Sequence, residues 1–503
     1  MNSCYNKILL SRKKTRYYRV ITLNRTLNGN MKLKTITLTL CSLLGSASVH
    51  AMPISFQQAW DILQQSNHSL AAERASVEHY QHLQDSTANL NLPSVSLGAS
   101  YTRLDKDVTL SVQQIVGSSG AHLPTLPPPL NQLGSLSSTI TERDIFSSSI
   151  RAVWPIFTGG RITAAQTAAQ GRKEEAQSQL AMVTQARYED LAKYYFSVVL
   201  AREVLQTRLA VEQGLTQHRD KALKLEQQGQ IALVERLQAE ASLDKATIDR
   251  KKSEKDLDIA QSALTQILNQ HQPVEPSGQL FINQSLPPLS AFIQQTLATY
   301  PGLDLLSAKE KQANSLIKAE KGKYYPEVYL FGNYSLHEDD SLAGQMKPDW
   351  LVGVGVSVPL IENTGRSHQV KAANSLVSQV RYLRAQAEQD LTVLVEKTYK
   401  EAEQALEEAQ GLNSSLRLAQ ENLSLRQKAF NQGLATSLDV VDAELYLASI
   451  KTQQAVAGFN YLISLSKLLA LSSEMQTFSH YKQMAVPLTM LPNHLVDSQR
   501  EPS

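Results

Sequence analysis

Cysteine is almost absent from the sequence, and its distribution limits the chemistry available to the chain. The 503 residues contain two cysteines, Cys4 and Cys41, and both lie in the first 51 residues. Residues after 51 therefore offer no disulfide, no thiolate metal site and no cysteine nucleophile. Glycine is also sparse, at 22 residues, which disfavours a glycine-rich all-β chain.

After the first 51 residues, which we call the leader, basic residues are fewer than acidic ones. Residues 1–51 hold nine Lys or Arg and no acid, so the rest has 49 − 9 = 40 basic residues against 47 acidic ones, a net charge of −7. No later stretch supplies a continuous cationic face. The composition therefore argues against a nucleic-acid-binding protein.

The leader has the pattern of a targeting segment. After Met31 come two lysines, an apolar stretch from Thr35 to Leu44, and small residues up to Ala51. This order is typical of a secretory signal peptide cleaved after Ala51. We expect translation to start at Met31, with a long charged segment over 1–30 as the alternative. No helix-length apolar run is evident after residue 51, so we expect any membrane crossing to use β-strands.

The chain contains one internal repeat, which equivalent pairs of residues reveal. The pairs are Pro93 with Pro326 at an offset of 233, and Pro155 with Pro359 and Gly229 with Gly433 at an offset of 204. Two consistent offsets indicate a duplicated unit whose first copy is 29 residues longer. The surplus falls in a segment rich in Pro, Gly and Ser, which predicts an enlarged surface loop.

Each copy is predicted to run helix, strand, strand, helix, helix. The predicted divisions are a signal segment at 1–51, a first repeat at 52–271 with strands at about 93–104 and 147–157 and an enlarged loop at 105–146, a linker or equatorial segment at 272–289, a second repeat at 290–472 with strands at about 326–337 and 349–361, and a tail at 473–503.

The predicted strands alternate between apolar and polar residues. The apolar positions are Val95, Leu97, Ala99 and Tyr101, then Ile150, Ala152, Trp154 and Ile156, then Val328, Leu330, Gly332, Tyr334 and Leu336, then Trp350, Val352, Val354, Val356 and Val358. Strands of this length with one apolar face are typical of membrane barrels, where Trp154, Tyr334 and Trp350 would lie at the interface or on the lipid face. Two half-buried soluble hairpins are the alternative. Four strands are too few to close a barrel, which needs about eight, so several copies must contribute.

Two long segments without proline, 161–228 and 366–432, predict helices of roughly 100 Å. In the second, apolar or small residues are spaced alternately by four and three, at Leu391, Val395, Thr398, Ala402, Ala405, Ala409, Leu412, Leu416, Ala419 and Leu423. A 3.5-residue period of this length indicates supercoiled helices. A plain dimeric coiled coil is the alternative, but it leaves the hairpins unexplained.

The sequence resembles the TolC-like outer membrane factor family from about Ile54 to Ser472. The resemblance rests on the twofold repeat, on Pro-Ile-Phe-Thr-Gly-Gly-Arg at 155–161, on Pro-Leu-Ile-Glu-Asn-Thr-Gly-Arg at 359–366, and on the segment from Phe430 to Ala443. It implies an α+β membrane protein that assembles as a homotrimer. Three chains would close a 12-stranded β-barrel that continues into a long periplasmic α-helical barrel, girdled by an equatorial domain.

The resemblance also implies a function. The chain would be a passive, gated outer-membrane exit duct of a tripartite efflux pump or type I secretion system. Its partners would be a periplasmic adaptor (a membrane fusion protein), an inner-membrane pump and outer-membrane lipid. A soluble periplasmic coiled-coil scaffold or adaptor is the alternative.

Sequence motifs for catalysis are missing. The chain has no phosphate-binding P-loop, no H-E-x-x-H, no G-x-S-x-G and no dinucleotide glycine pattern, so we expect neither an enzyme nor a cofactor. The one run with metal-ligand residues, His337 to Asp340, lies between two predicted strands, and we expect it to be a solvated turn rather than a metal site.

In the resembling family, the turns that join each helix pair form the periplasmic entrance. The corresponding residues here are Phe430, Gly433, Asp439 and Asp442 in the second repeat, and Gly229 and Glu235 in the first. Under threefold symmetry, Asp439 and Asp442 would form two carboxylate rings that attract cations. Ordinary solvent-facing helix carboxylates are the alternative.

The gating positions depart from the family pattern. A Tyr and an Arg that flank the turn in the family's founding member correspond here to Phe430 and Ala435, which cannot make a hydroxyl hydrogen bond or an ion pair. Asp439 and Glu235 are therefore expected to lack the family's basic partner, although Arg236 is close in sequence. We expect closure to depend on packing of the helix tips through Phe430, Leu434 and Leu438.

Overall fold

The structure is a computed structural model that describes residues 52–111, 137–338, 347–361 and 363–488. The predicted signal peptide, its cleavage after Ala51 and the start at Met31 lie outside the described residues.

The first copy of the repeat and the beginning of the linker contain six strands and four helices among the described residues. These are β1 (Met52–Ile54), α1 (Phe56–Ser66), α2 (His68–Ala88), β2 (Ser94–Arg103), β3 (Val108–Ser111), β4 (Ser137–Thr141), β5 (Asp144–Phe157), α3 (Arg161–Gln227), α4 (Leu233–Ile267) and β6 (Val274–Pro276).

The rest of the linker, the second copy and the tail follow, and among the described residues the second copy has no counterpart of β3 and β4. The elements are β7 (Phe281–Ile282), α5 (Leu289–Thr299), α6 (Pro301–Gly322), β8 (Glu327–Glu338), β9 (Trp350–Ser357), α7 (Arg366–Asn431), α8 (Ser437–Leu471), α9 (Phe478–Gln483) and β10 (Val486–Pro487).

The first helix of each copy, predicted as one element, is two helices. The break lies at Asn67 in the first copy and at Tyr300 in the second, positions that the repeat offset of 233 relates. The Asn67 side chain accepts the backbone N–H groups of Ser69 and Leu70 at 3.0 and 3.2 Å, which caps α2. In the second copy Pro301 occupies the first turn of α6, where its missing N–H costs nothing.

Strands β2, β5, β8 and β9 form one antiparallel sheet in that order. The ladder places Leu97 opposite Ile150, Ile150 opposite Tyr334, and Tyr334 opposite Trp350. All four apolar sets predicted from the sequence therefore share one face. Val95, Leu97, Val352 and Val354 are 64% to 73% exposed, so no segment in the described part of the chain covers this face. The ladder is irregular between Pro155 and Phe157, as expected where proline lacks an N–H.

The segment 105–146, predicted as an enlarged loop, is partly ordered as strands. Its described part extends the sheet end as an antiparallel ladder in which Thr109 lies opposite Thr139 and Leu110 opposite Ser138. Composition missed this ladder because the strands are short and β4 consists of Ser and Thr with a single Ile. Residues 112–136 lie outside the described residues.

The long helices α3 and α7 have 67 and 66 residues, roughly 100 Å each. Of the ten seam positions predicted in α7, seven are buried, and Leu412, Leu416 and Leu423 pack partly buried against neighbouring helices. Both helices start after a glycine with positive φ, Gly160 at 80° and Gly365 at 64°.

One helix among the described residues, α8, is long and apolar enough to cross a membrane by length and composition. The expectation that no such run follows residue 51 was therefore wrong as a statement about composition. In the structure two thirds of its apolar window is buried by neighbouring helices, as in the core helix of a folded domain. Its apolar character thus reflects packing within the protein.

Short strands and an aromatic cluster surround the middle of the helices. β1 pairs with β6 and β7 pairs with β10, so the segments before, between and after the two copies meet at one level. Around Phe56 cluster the rings of Tyr188, Tyr195, Phe196 and Phe478, at centroid distances of 4.7 to 5.5 Å. Such aromatic packing fixes the level at which these segments attach.

Candidate functional site

The two turns that end the long helices have the same backbone structure. Gly229 between α3 and α4 has φ 72°, and Gly433 between α7 and α8 has φ 73°. In the first turn the N–H of Gln230 donates to the Leu225 carbonyl at 2.8 Å; in the second, Leu434 donates to Ala429 at 3.0 Å. This is the glycine cap of a helix C-terminus, in which a side chain at the glycine would be strained.

Asp439 stabilises the start of α8. One of its carboxylate oxygens accepts the N–H of Thr436 at 2.8 Å, while the Thr436 hydroxyl caps the helix. Arg426 of α7 donates to the other oxygen at 3.2 Å. The hydrogen bonds from Thr436, and secondarily the Arg426 charge, lower the pKa of Asp439. The expectation that Asp439 has no basic partner was therefore wrong: Arg426, one helix turn before Phe430, supplies it.

Glu235 links the two helical hairpins. Its carboxylate accepts the backbone N–H of Ser437, the first residue of α8, at 2.6 Å. Arg236 does not pair with it. The Arg236 guanidinium instead donates to Glu226 at 2.7 Å and to Glu240 at 2.5 Å, both within the first hairpin.

Phe430 is inside the chain rather than at a free tip. Its side chain is 2% exposed and packs in a small cluster with Ala222, Ala239 and Val440, which belong to three other helices. The other two residues expected to pack at the tips are exposed, Leu434 at 78% and Leu438 at 52%. Phe430, Leu434 and Leu438 therefore do not pack together within the chain. Phe430 instead joins the two helical hairpins of one chain.

His218, which was not predicted as a site residue from the sequence, completes this junction. The residue is 5% exposed, shares a 2.6 Å hydrogen bond with the Ser437 hydroxyl, and lies 4.5 Å from the Phe430 ring centroid. Burial, helped by the nearby Lys221 and opposed by Glu235, lowers its pKa to about 4. A signal was present, because Val211, Leu215, His218 and Ala222 follow the 4-3-4 spacing of a helix seam.

Asp442 differs from Asp439. Its side chain is exposed, and it has no hydrogen-bond or ion-pair partner among the described residues. Of the two predicted carboxylates on α8, Asp442 is thus the one that the described residues leave unengaged.

The acidic run after β8 is partly described. Glu338 pairs with Lys347, the His337 ring lies 5.6 Å from that of Phe146, and Asp339 and Asp340 lie outside the described residues. Within the described ranges, no group of three or more His, Cys, Asp or Glu is placed to hold a metal ion.

The predicted interfacial aromatics lie on the apolar face of the sheet. Trp154, Tyr334 and Trp350 are all exposed there, and the Trp154 indole N–H donates to the Asn91 carbonyl at 2.8 Å. An exposed apolar ring with a satisfied polar atom suits the boundary between lipid and water.

Comparison with known proteins gives consistent matches. Residues 60–270 and 292–473 match the family model described as Outer membrane efflux protein. The chain is 22% identical over 334 residues to the outer membrane protein TolC of Escherichia coli (strain K12), covering 62% of this chain and 66% of that relative, just under two thirds of its length. It is 23% identical over 344 residues to TolC of Vibrio cholerae serotype O1, covering 65% of this chain and 76% of the relative. The solved structure of CusC has a TM-score of 0.68 at 15% identity, over 84% of this chain and 92% of that one, which shows a shared fold.

Proposed function

This chain belongs to the outer membrane efflux protein family and is an outer-membrane protein that extends into the periplasm. We propose that three chains assemble into a passive, gated exit duct. The four-stranded sheets (β2, β5, β8 and β9) of the three chains join into one twelve-stranded barrel in the outer membrane. The helices continue this barrel as a tube through the periplasm, and the two glycine turns mark its entrance.

The observation that carries the proposal is the isolated sheet. One face is apolar and exposed, and the outer edges of β2 and β9 have no strand beside them among the described residues. Backbone N–H and C=O groups at such edges cannot remain unpaired in lipid, so the edges must meet those of other copies. Three copies of four strands give an even strand number within the range of outer-membrane barrels.

The helices support the same assembly. Within the chain α3 packs against α4 and α8, and α8 packs against α7, so α4 and α7 flank the group. Both flanking helices expose large apolar side chains, Ile248 and Ile259 on α4 and Val393 and Leu418 on α7. Contact between α4 of one copy and α7 of the next would bury them and close the tube.

The sequence has no nucleotide-binding motif, so energy must come from elsewhere. We propose that an inner-membrane pump supplies it and that a periplasmic adaptor couples the pump to the helix turns. The cargo would be small molecules or secreted polypeptides. A soluble scaffold or adaptor is not favoured, because exposed apolar residues extend over all four strands of the sheet, and a contiguous patch of this kind marks a membrane or protein contact.

Two measurements test the proposal. Separation of cell membranes should place the full chain in the outer-membrane fraction, where mild gels should show a heat-resistant trimer. The purified trimer should form ion-conducting channels in planar lipid bilayers. Recovery of the chain as a soluble periplasmic monomer would contradict the proposal.

A further inference from the structure

The polar face of the sheet carries a single charge away from the strand ends. At the described positions of this face most residues are small or neutral, including Ser96, Gly98, Ser149 and Gly353. Arg151, in the middle of β5, is the exception. If the apolar face meets lipid, this face lines the interior of the barrel.

Arg151 is exposed and has no compensating acid. Its cross-strand neighbours are Ser96 and Asn333, both neutral, and it has no hydrogen-bond or ion-pair partner among the described residues. The acids on the same face lie at the two ends of β8. Glu327 is six positions from Asn333, about 20 Å away, and Glu338, opposite Ser147, is four positions of β5 from Arg151, about 13 Å away, and pairs with Lys347. Glu327 is itself paired with Arg161. The guanidinium of Arg151 is therefore available to a ligand.

Two aromatic rings occupy the adjacent positions of the same face. Phe331 lies opposite Val153, two residues from Arg151, and Tyr329 lies two residues before Phe331 on β8, opposite Pro155. The Phe331 ring lies over Gly353 of β9, so closely that a Cβ at Gly353 would be 2.7 Å from it. Both rings are partly exposed. Arg151 and Phe331 are thus diagonal neighbours across the β5–β8 ladder, a separation that one aromatic ligand spans.

We propose that Arg151 and Phe331 form a contact site for organic anions that carry an aromatic ring, on the inner wall of the barrel. Arginine binds carboxylate, sulfonate or phosphate groups through a planar fork of donors, and a phenyl ring binds the apolar part of the same molecule. The inference rests on the proposed function, because closure of the sheet by three copies makes this face a lumen and repeats the site three times. It narrows the cargo to a chemical class.

The site is tested with the purified trimer in planar bilayers and pyrene-1,3,6,8-tetrasulfonate, an aromatic tetra-anion, added to the compartment that faces the barrel. The wild-type channel should be blocked. Arg151→Gln should weaken block by about tenfold, the loss expected when a charged hydrogen bond is removed. Arg151→Lys, which keeps the charge, should retain most of the block. Phe331→Leu should weaken it severalfold.

Arg103→Gln is the matched control. It removes the same charge from the same sheet, but Arg103 lies at a strand end, on the opposite face, paired with Asp144 at 3.6 Å. Block of this variant should equal that of the wild type. Equal block of the wild type and Arg151→Gln would overturn the site, and unchanged block of Phe331→Leu would overturn its aromatic half. Absence of any wild-type channel would instead refute the proposed function.

Discussion

Glu235 of α4 accepts the first backbone N–H of α8, that of Ser437, at 2.6 Å. Its counterpart at the repeat offset, Asp439, caps its own helix and pairs with Arg426 instead. Two acids in equivalent positions of a duplicated unit thus have different tasks. Glu235 ties the hairpins together, while Asp439 stabilises one of them.

Acid should loosen this junction through His218. Since its pKa is lowered to about 4 from a usual value near 6.5, the folded form resists protonation. The stability that neutral His218 provides is therefore complete above about pH 6.5 and is lost progressively as the pH falls towards 4. Single-channel recordings should show longer or larger openings at pH 5 than at pH 7.5.

His218→Gln should reduce this pH dependence, because glutamine retains a hydrogen-bonding group but does not titrate there. The control is His82→Gln, which changes an exposed histidine of α2 that pairs at 3.7 Å with Glu78. An equal response to acid in the wild type and His218→Gln would show that the sensor lies elsewhere.

Phe430→Ala should open the entrance by removing packing between the two hairpins. A buried Phe→Ala change costs about 3–5 kcal/mol, enough to shift a marginal balance of closed and open states. We expect a larger single-channel conductance than in Leu434→Ala, whose side chain is exposed. If Arg236→Ala opens the channel and Phe430→Ala does not, the ion pairs of Arg236 with Glu226 and Glu240 keep the entrance closed, and the packing of Phe430 does not.

The two carboxylates of α8 should separate into a selectivity residue and a structural one. Asp442→Asn should lower the preference for cations and weaken block by multivalent cations, because an exposed carboxylate ring is lost. Asp439→Asn should mainly lower thermal stability, by about 1 kcal/mol, through the weakened cap. Reversal potentials and melting curves of both variants distinguish these effects; unchanged selectivity in Asp442→Asn contradicts the ring.

A charge on the apolar face of the sheet should prevent membrane assembly. Val354→Lys places an ammonium group among lipid chains, at a cost of about 2–4 kcal/mol near the middle of the bilayer. Ser100→Lys places the same group on the opposite face of the sheet, opposite the neutral Ser147, and should be tolerated. The yield of heat-resistant trimer in the outer-membrane fraction measures both, and equal yields would mean that the apolar face does not meet lipid.

The features that could be predicted from the sequence are the internal repeat and the periodic spacing of apolar residues. The offset of 204 relates the two glycine turns, whose backbone hydrogen bonds are equivalent in the structure, and the 3.5-residue spacing predicts the buried seam of α7. Contacts between residues far apart in the sequence could not be predicted, because they leave no local pattern. The pairing of Glu235 with Ser437 spans 202 residues and depends on how the hairpins pack. Strands of two or three residues, such as β7 and β10, are too short to leave a periodic signal.

The length of α3 has a mechanical consequence. The helix runs unbroken from Gly160, a glycine at positive φ with open space around it, to the turn at Gly229. Because the helix is roughly 100 Å long, a rigid-body tilt of one degree about its membrane end moves the far end by about 2 Å. A pore ringed by such helices can change its aperture by many ångströms through rotations of a few degrees, with no helix bending or unfolding along the way.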